Sequence, residues 1–80
     1  MLELIKYIVG SFAEKKDEIE YIENEVGNEV DVTVILAPED MGRVIGRQGK
    51  NAKALRTIVR SAAAKSGKKY NIEIKERGEI

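Results

Sequence analysis

The apolar residues at the start of the chain recur every three or four positions. They are Leu2, Ile5, Ile8, Val9 and Phe12. This spacing is that of one face of an α-helix, so it predicts an amphipathic helix over residues 2–13 that ends near Ala13. A polar connector, EKKDE, separates this helix from the next apolar run.

The middle of the chain changes to the alternating pattern of β-strands. The runs IEYIENEV and EVDVTVILA are rich in β-branched residues, and Gly27-Asn28 between them predicts a hairpin. In the second run every other residue from Val30 to Leu36 falls on one face. A third alternating run, KYNIEIK, predicts a last strand near the C-terminus.

The register of the hairpin has two alternatives. With a two-residue loop, Glu23 pairs with Val32, and the carboxylates of the first strand point toward the core. A three-residue loop pairs Ile22 with Val34 and buries more apolar surface, so it is the preferred register. It leaves three apolar residues on the outer face of the sheet, namely Ile19, Tyr21 and Ile35. These are either scattered surface side chains or a face for association.

Two further helices are predicted between the second and third strands. The short one begins at Pro38, with Asp40 in its positively polarised first turn, and ends at Gly46. The long one begins after Gly49 and runs to about Ser66. The resulting order, α-β-β-α-α-β, predicts an α+β fold in which helices pack on one face of a three-stranded sheet.

Length and composition limit the classes of function. Eighty residues predict a single domain over residues 1–80, with one thin core. The chain has no cysteine and no histidine, which excludes disulfides, a thiolate zinc site and catalysis by either side chain. No enzyme activity, metal or cofactor is expected. Without a secretory signal pattern or an apolar run of about 20 residues, a cytoplasmic protein is the default expectation.

The net charge of zero hides a strong asymmetry between the two halves of the chain. Residues 1–40 contain three basic and eleven acidic residues, whereas residues 41–80 contain eleven basic and three acidic residues. Residues 41–72 contain nine basic residues and no acidic one. Such a segment favours an anionic partner, although the two halves of one folded domain can also neutralise each other.

The glycine pair Gly46 and Gly49 encloses Arg47 and Gln48 between the two predicted helices. Gly46 can close the short helix in the left-handed conformation, and a chain without a Cβ atom at Gly49 can be approached closely. The loop also delivers the N-terminus of the long helix, which is positively polarised and suits phosphate. Arg47 and Lys50 add mobile cations beside that N-terminus.

The long helix itself carries cations on one side only. Leu55, Ile58, Val59 and Ala62 are expected on its buried side. The opposite side has only cations, namely Lys53, Arg56 and Arg60, with Lys50 nearby. A solvated helix face usually mixes both signs of charge, so this stripe beside the glycine loop favours phosphate binding.

These features together resemble the KH (K-homology) RNA-binding domain in its bacterial, type II arrangement. The stretch APEDMGRVIGRQGKNAKALRTIV is similar to that of the small single-domain proteins of the KhpA family. The resemblance implies that the G-x-x-G loop, Gly46-Arg47-Gln48-Gly49, clamps a nucleic-acid backbone. It further implies that the residues around the loop share the site: Val44 and Ile45 in an apolar groove for bases, and Arg43, Lys50 and Lys53 beside phosphates.

One position departs from the KH pattern. Many KH domains have an isoleucine three positions after the second glycine, where this chain has Ala52, and the bulky residue is delayed to Leu55. A smaller residue widens the groove, which affects base preference rather than backbone binding.

The expected function is therefore non-catalytic binding of single-stranded RNA, in post-transcriptional regulation. Loop and basic stripe together predict Arg56 as a further RNA contact. The resemblance also implies a homodimer, or a heterodimer with a larger KH-containing protein of the KhpB (Jag) kind. Two alternatives remain: a protein-interaction module with little or no RNA binding, and a binder of single-stranded DNA, since the loop contacts phosphates common to both.

Overall fold

The computed structural model describes residues 1–78 and has the expected element order. Three helices and three strands follow one another as α1 (Leu2–Phe12), β1 (Glu20–Val26), β2 (Glu29–Leu36), α2 (Pro38–Ile45), α3 (Lys50–Ala63) and β3 (Lys69–Glu76). Short 3₁₀ turns over Lys16–Glu18, Arg47–Gly49 and Ala64–Ser66 complete the connections. The predicted α+β fold with the order α-β-β-α-α-β is confirmed.

The sheet has the strand order β1-β2-β3, so β2 lies in the centre and the other two strands are edges. The pair β1–β2 is an antiparallel hairpin, and β3 runs parallel to β2 because α2 and α3 form the crossover between them. Along β2, alternate side chains from Val30 to Leu36 point to the helices and are fully buried. The core lies between this face of the sheet and the helices.

Each helix contributes a narrow buried stripe to this core. In α1 the stripe is Ile5 and Val9, while Leu2, Ile8 and Phe12 pack partly buried beside it. In α3 the stripe is Ala52, Leu55, Val59 and Ala63. The expectation that Ile58 and Ala62 share the buried side was wrong, since Ile58 is 45% exposed and Ala62 is exposed too. The small Ala52 is 5% exposed and lies within the helix–sheet interface.

The hairpin adopts the two-residue loop, so the preferred three-residue register was wrong. Glu23 pairs with Val32 and Glu25 pairs with Val30, which places both carboxylates on the helix side of the sheet. They remain exposed because β1 is an edge strand whose hairpin end the helices do not cover. The Glu25 carboxylate forms an ion pair with Lys68 at 2.6 Å.

The change of register also changes the outer face of the sheet. The outward placement of Ile19 and Tyr21 was wrong, because both pack against the core on the helix side, whereas Ile35 does lie on the outer face. Ile22 and Val26 point outward instead, and they are 49% and 70% exposed. Within residues 1–78 no helix combines the length and apolar character needed to cross a membrane.

Candidate nucleic-acid interface

The connection between α2 and α3 is a tight turn with a glycine at each end. Gly46 donates its N–H to the Gly42 carbonyl at 2.9 Å and so closes α2. Its φ is positive, as expected, at 79°, but its ψ of 168° is extended rather than left-handed. This region is open almost only to glycine, so the chain leaves α2 abruptly at this point.

The turn contains a second unusual residue that the sequence did not indicate. Gln48 is a non-glycine residue with φ 57° and ψ 26°, and Gly49 follows it with φ 75°. A left-handed conformation costs an ordinary residue about 1–2 kcal/mol. The Gly49 N–H donates to the Gly46 carbonyl at 3.0 Å and holds the turn. Consequently Arg47 and Gln48 both project into solvent.

The first turn of α3 is linked to the last turn of α2 by one side chain. The Asn51 Nδ2 atom donates to the Arg43 carbonyl at 2.9 Å. Carbonyl groups in the last turn of a helix lack partners within the helix, so this bond satisfies one of them. It fixes the two helix ends on either side of the glycine turn, which therefore has little freedom to open.

A shallow groove of about 450 Å³ runs from the turn along the exposed side of α3. Its walls are formed by Gln48, Gly49, Lys53, Arg56, Thr57 and Arg60. Four of the ten predicted site residues therefore lie together in the groove. The other two lining residues, Thr57 and Arg60, come from the same side of α3. Among the described residues, no carboxylate lines this groove.

The cations around this groove have no carboxylate partner, in contrast to five basic side chains elsewhere in the described residues. Outside it, five basic side chains lie within ion-pair distance of carboxylates: Lys15, Arg43, Lys68, Lys75 and Arg77. Within residues 1–78, no such pair involves Arg47, Lys50, Lys53, Arg56 or Arg60. Carboxylates thus compensate part of the surrounding basic surface and leave the positive charge of the turn and groove free.

Arg56 joins α3 to the edge strand β3. Its Nε–H donates to the carbonyl of Ile72 at 3.2 Å. This bond holds the guanidinium across the seam between helix and strand. The terminal nitrogens then stand at the groove wall, where Arg56 is exposed.

The remaining predicted residues have other positions. Val44 is only 1% exposed and belongs to the core, so it supports the turn from beneath and offers no surface to a base. Ile45 is partly buried directly before the turn. The Arg43 side chain points away, because its guanidinium pairs with the Glu14 carboxylate at 3.1 Å. Arg47 and Lys50 are exposed beside the groove without lining it.

Asp40 is a buried residue that joins two helices. The sequence predicted it only as a negative charge in the first turn of the short helix. Its side chain is fully buried and accepts the N–H groups of Glu14 and Lys15 at 3.0 and 2.9 Å. These two hydrogen bonds, with a smaller contribution from the Arg43 charge, lower the pKa of the Asp40 carboxyl below its usual 3.8. Asp40 therefore ties the end of α1 to the start of α2, the helix that carries the turn.

Two groove residues were not among the predicted contacts. Arg60 was recognised in the basic stripe but not assigned to the site, and Thr57 gave no signal except its position one turn after Lys53. Within the described part of the chain, no group of three or more acidic, histidine or cysteine side chains converges as metal ligands would. The arrangement can hold an anionic chain, since it presents cations and neutral donors around the turn and no carboxylate lines it.

Comparison with known proteins agrees with this arrangement. Residues 2–74 match the family model described as KhpA/KhpB, KH domain. The chain is 45% identical over 76 residues to a protein of Clostridium perfringens named RNA-binding protein KhpA, with 92% of this chain and 99% of that protein covered. Proteins with the same name from Caldanaerobacter subterraneus and Listeria monocytogenes are 40% and 38% identical, over 92% and 95% of this chain and 99% and 100% of theirs.

The family match covers both helices beside the glycine turn, the first two strands and most of β3. The comparisons confirm the resemblance to KH domains and agree with the expectation of a protein that is not an enzyme. From the fold, the turn and the extent of the matches together, the chain belongs to the KhpA/KhpB family of KH-domain proteins.

Proposed function

We propose that this protein binds single-stranded RNA without catalysis, with its 80 residues acting as one KH domain in the cytoplasm. The turn over residues 46–49 contacts the sugar–phosphate backbone, and the groove along α3 holds the adjoining phosphates. The observation that carries this proposal is the separation of charges. Arg47, Lys53 and Arg56 have no carboxylate partner within residues 1–78, and no carboxylate lines the groove, whereas Lys15, Arg43, Lys68, Lys75 and Arg77 are paired.

The start of α3 adds a second attraction for phosphate. No side chain caps its first turn, and no acidic residue lies there. The N–H groups at a helix start have no partner within the helix and carry a partial positive charge. The turn brings a bound backbone close to these groups because Gly49 carries no side chain, and the space that a Cβ atom there would occupy is open.

The comparisons support RNA as the nucleic acid. Relatives that align over nearly the whole chain are named RNA-binding proteins. KH loops clamp about four nucleotides of a single strand. With roughly three phosphates neutralised, the logarithm of the affinity should fall with the logarithm of the salt concentration with a slope of about −2.

The test is fluorescence anisotropy of a labelled single-stranded RNA, at two salt concentrations, with the double variant Arg47→Asp, Gln48→Asp. We expect salt-sensitive binding by the wild type and at least about a tenfold loss in the variant. The matched control is Ser61→Asp, Lys65→Asp, which changes the charge equally on exposed positions of α3 and its end that line neither the turn nor the groove.

Each outcome has a clear meaning once circular dichroism shows that the variants are folded. Equal losses of RNA affinity in both double variants would mean that the loss comes from the change in net charge alone. That outcome would reject the turn as the RNA contact. A folded wild type that binds no RNA would reject the proposal and favour the protein-interaction module. Equal binding of DNA of the same sequence would show that no 2′-hydroxyl is read.

We also propose that the protein works as a dimer or beside a second KH protein, in post-transcriptional regulation. Support comes from large apolar side chains that remain exposed on the helices, since Tyr7 is 78% and Ile58 is 45% exposed. A single short groove gives modest affinity, and two linked sites raise it through effective concentration. Light scattering of the purified protein reports the mass; a monomer at all concentrations would reject the homodimer.

A further inference from the structure

The basic groove does not end at Arg60. A second groove of about 330 Å³ lies between the end of α3 and the start of β3, and Arg60 lines both. Lys69 and Tyr70 line the second groove from the strand side. The two depressions therefore meet at Arg60 and form one track from the turn along α3 to the start of β3, which we call the α3–β3 seam.

The α3–β3 seam is longer than the four nucleotides held at the glycine turn would need. From Lys50 to Ala63, α3 has 14 residues and so rises about 21 Å. The four nucleotides that a KH loop clamps contact the start of this helix. Lys69 and Tyr70 lie beyond its other end, where a longer strand leaving the first groove would pass.

The second groove has the chemistry of a single-strand site. Within residues 1–78, no ion pair involves Arg60 or Lys69, and Lys69 has Glu29 as its partner in the sheet register. Lys68 also borders the groove, but the Glu25 carboxylate compensates its charge through a hydrogen bond that raises the pKa of Lys68. We therefore assign the phosphate contacts to Arg60 and Lys69.

Tyr70 supplies a feature that the first groove lacks. No aromatic side chain lines the groove beside the turn, among the residues that the structure describes. The Tyr70 ring packs partly against the core and leaves its remaining surface in the second groove. Aromatic surfaces beside cations are what sequence-tolerant single-strand binders use to stack bases, at about 1–3 kcal/mol per base.

We propose that the α3–β3 seam holds a second segment of single-stranded RNA at Arg60, Lys69 and Tyr70. One domain then binds a strand longer than the four nucleotides at its turn. This inference rests on the proposed RNA binding and names the length of RNA that the site prefers.

The test compares labelled oligouridines of four and seven nucleotides by fluorescence anisotropy. A seven-nucleotide strand is too short for two four-nucleotide sites, so a second protein molecule cannot produce the gain. Four overlapping positions of a four-nucleotide site would raise the affinity about fourfold. We expect a gain of about twentyfold or more, together with a steeper salt slope for the longer strand, by about 0.7 for each added phosphate contact.

Two variants assign the gain to the second groove. Lys69→Ala should leave four-nucleotide binding within about twofold and reduce seven-nucleotide binding about fivefold. Tyr70→Leu keeps an apolar side chain against the core and should also reduce only the binding of the longer strand. Lys65→Ala is the matched control, because it removes the same charge from an exposed position outside both grooves.

The possible results separate this inference from the proposed function. A gain of only about fourfold in the wild type, with intact four-nucleotide binding, would overturn the second segment and leave RNA binding in place. An equal loss in Lys65→Ala and Lys69→Ala would also overturn it. Folded protein that binds neither length would overturn both proposals together.

Discussion

The side chain of Asn51 lies directly against the backbone of Gly46. A Cβ atom on Gly46 would stand 2.7 Å from the Asn51 Cγ and 2.8 Å from the Asn51 backbone nitrogen. The absence of a side chain at Gly46 thus lets the start of α3 approach the end of α2. Asn51 also donates a hydrogen bond to the Arg43 carbonyl. One residue of α3 therefore contacts both the last turn of α2 and the first glycine of the turn.

We predict that Gly46→Ala destabilises the protein and disrupts the turn. The added methyl group meets the backbone nitrogen of Asn51, which cannot move aside, and φ of 79° is unfavourable for alanine. The free energy of unfolding should fall by about 2–3 kcal/mol. Urea denaturation measures this change, and RNA anisotropy should show at least about a tenfold loss of affinity in the folded fraction.

The matched control is Gly42→Ala, four residues earlier in the same helix. A Cβ atom on Gly42 meets nothing within 4 Å, and the position is exposed inside α2. Alanine should therefore raise the free energy of unfolding by about 0.5–1 kcal/mol. If both variants changed the stability equally, the contact between Gly46 and Asn51 would not exist in solution.

A second prediction concerns Asp40 and acid. The pKa of Asp40 is lower in the folded protein than the usual 3.8. The ionised carboxylate therefore stabilises the fold fully above about pH 5, and this stabilisation is lost as the pH falls from there through the lowered pKa of the folded state. Asp40→Asn should lower the melting temperature at pH 7 by about 10 °C. The melting temperature of this variant should also depend less on pH between 7 and 3 than that of the wild type.

Asp17→Asn is the control for Asp40→Asn, since Asp17 is exposed in the 3₁₀ turn before β1. Its melting curve should match that of the wild type at neutral pH. Parallel pH profiles for the wild type and Asp40→Asn would contradict the role of the buried carboxylate.

A third prediction separates the groove from the rest of the basic surface. Arg56→Ala should weaken RNA binding about threefold to tenfold, equally across sequences, and make the salt slope shallower by about 0.7. Arg77→Ala removes the same side chain from a position where it pairs with Glu20, and should change neither quantity. An unchanged salt slope in Arg56→Ala would show that this side of α3 does not contact the RNA phosphates.

The order of elements follows from the sequence because each element has its own apolar spacing, but the register of the hairpin does not. A three-residue loop is favoured only if every residue facing the helices is buried. In the structure β1 is an edge strand, and Glu23 and Glu25 stay in solvent while they face that side. The extent of helix cover is a tertiary property that strand alternation does not contain.

The candidate site was predictable where it depends on local chemistry. Two glycines around Arg47 and the one-sided cations of α3 identified the turn and groove. The contacts of Asp40 and Asn51 were not predictable, because each depends on how separate elements pack. For the same reason Arg43 was assigned to phosphates, although its partner, Glu14, lies at the end of α1.

The division between paired and unpaired cations also has a kinetic consequence. A molecule with zero net charge has no long-range pull on a polyanion, yet in this one the turn and groove present cations with no carboxylate among them. An approaching RNA is attracted to this part of the surface, so encounters become oriented before contact. Added salt should then slow association more than it speeds dissociation.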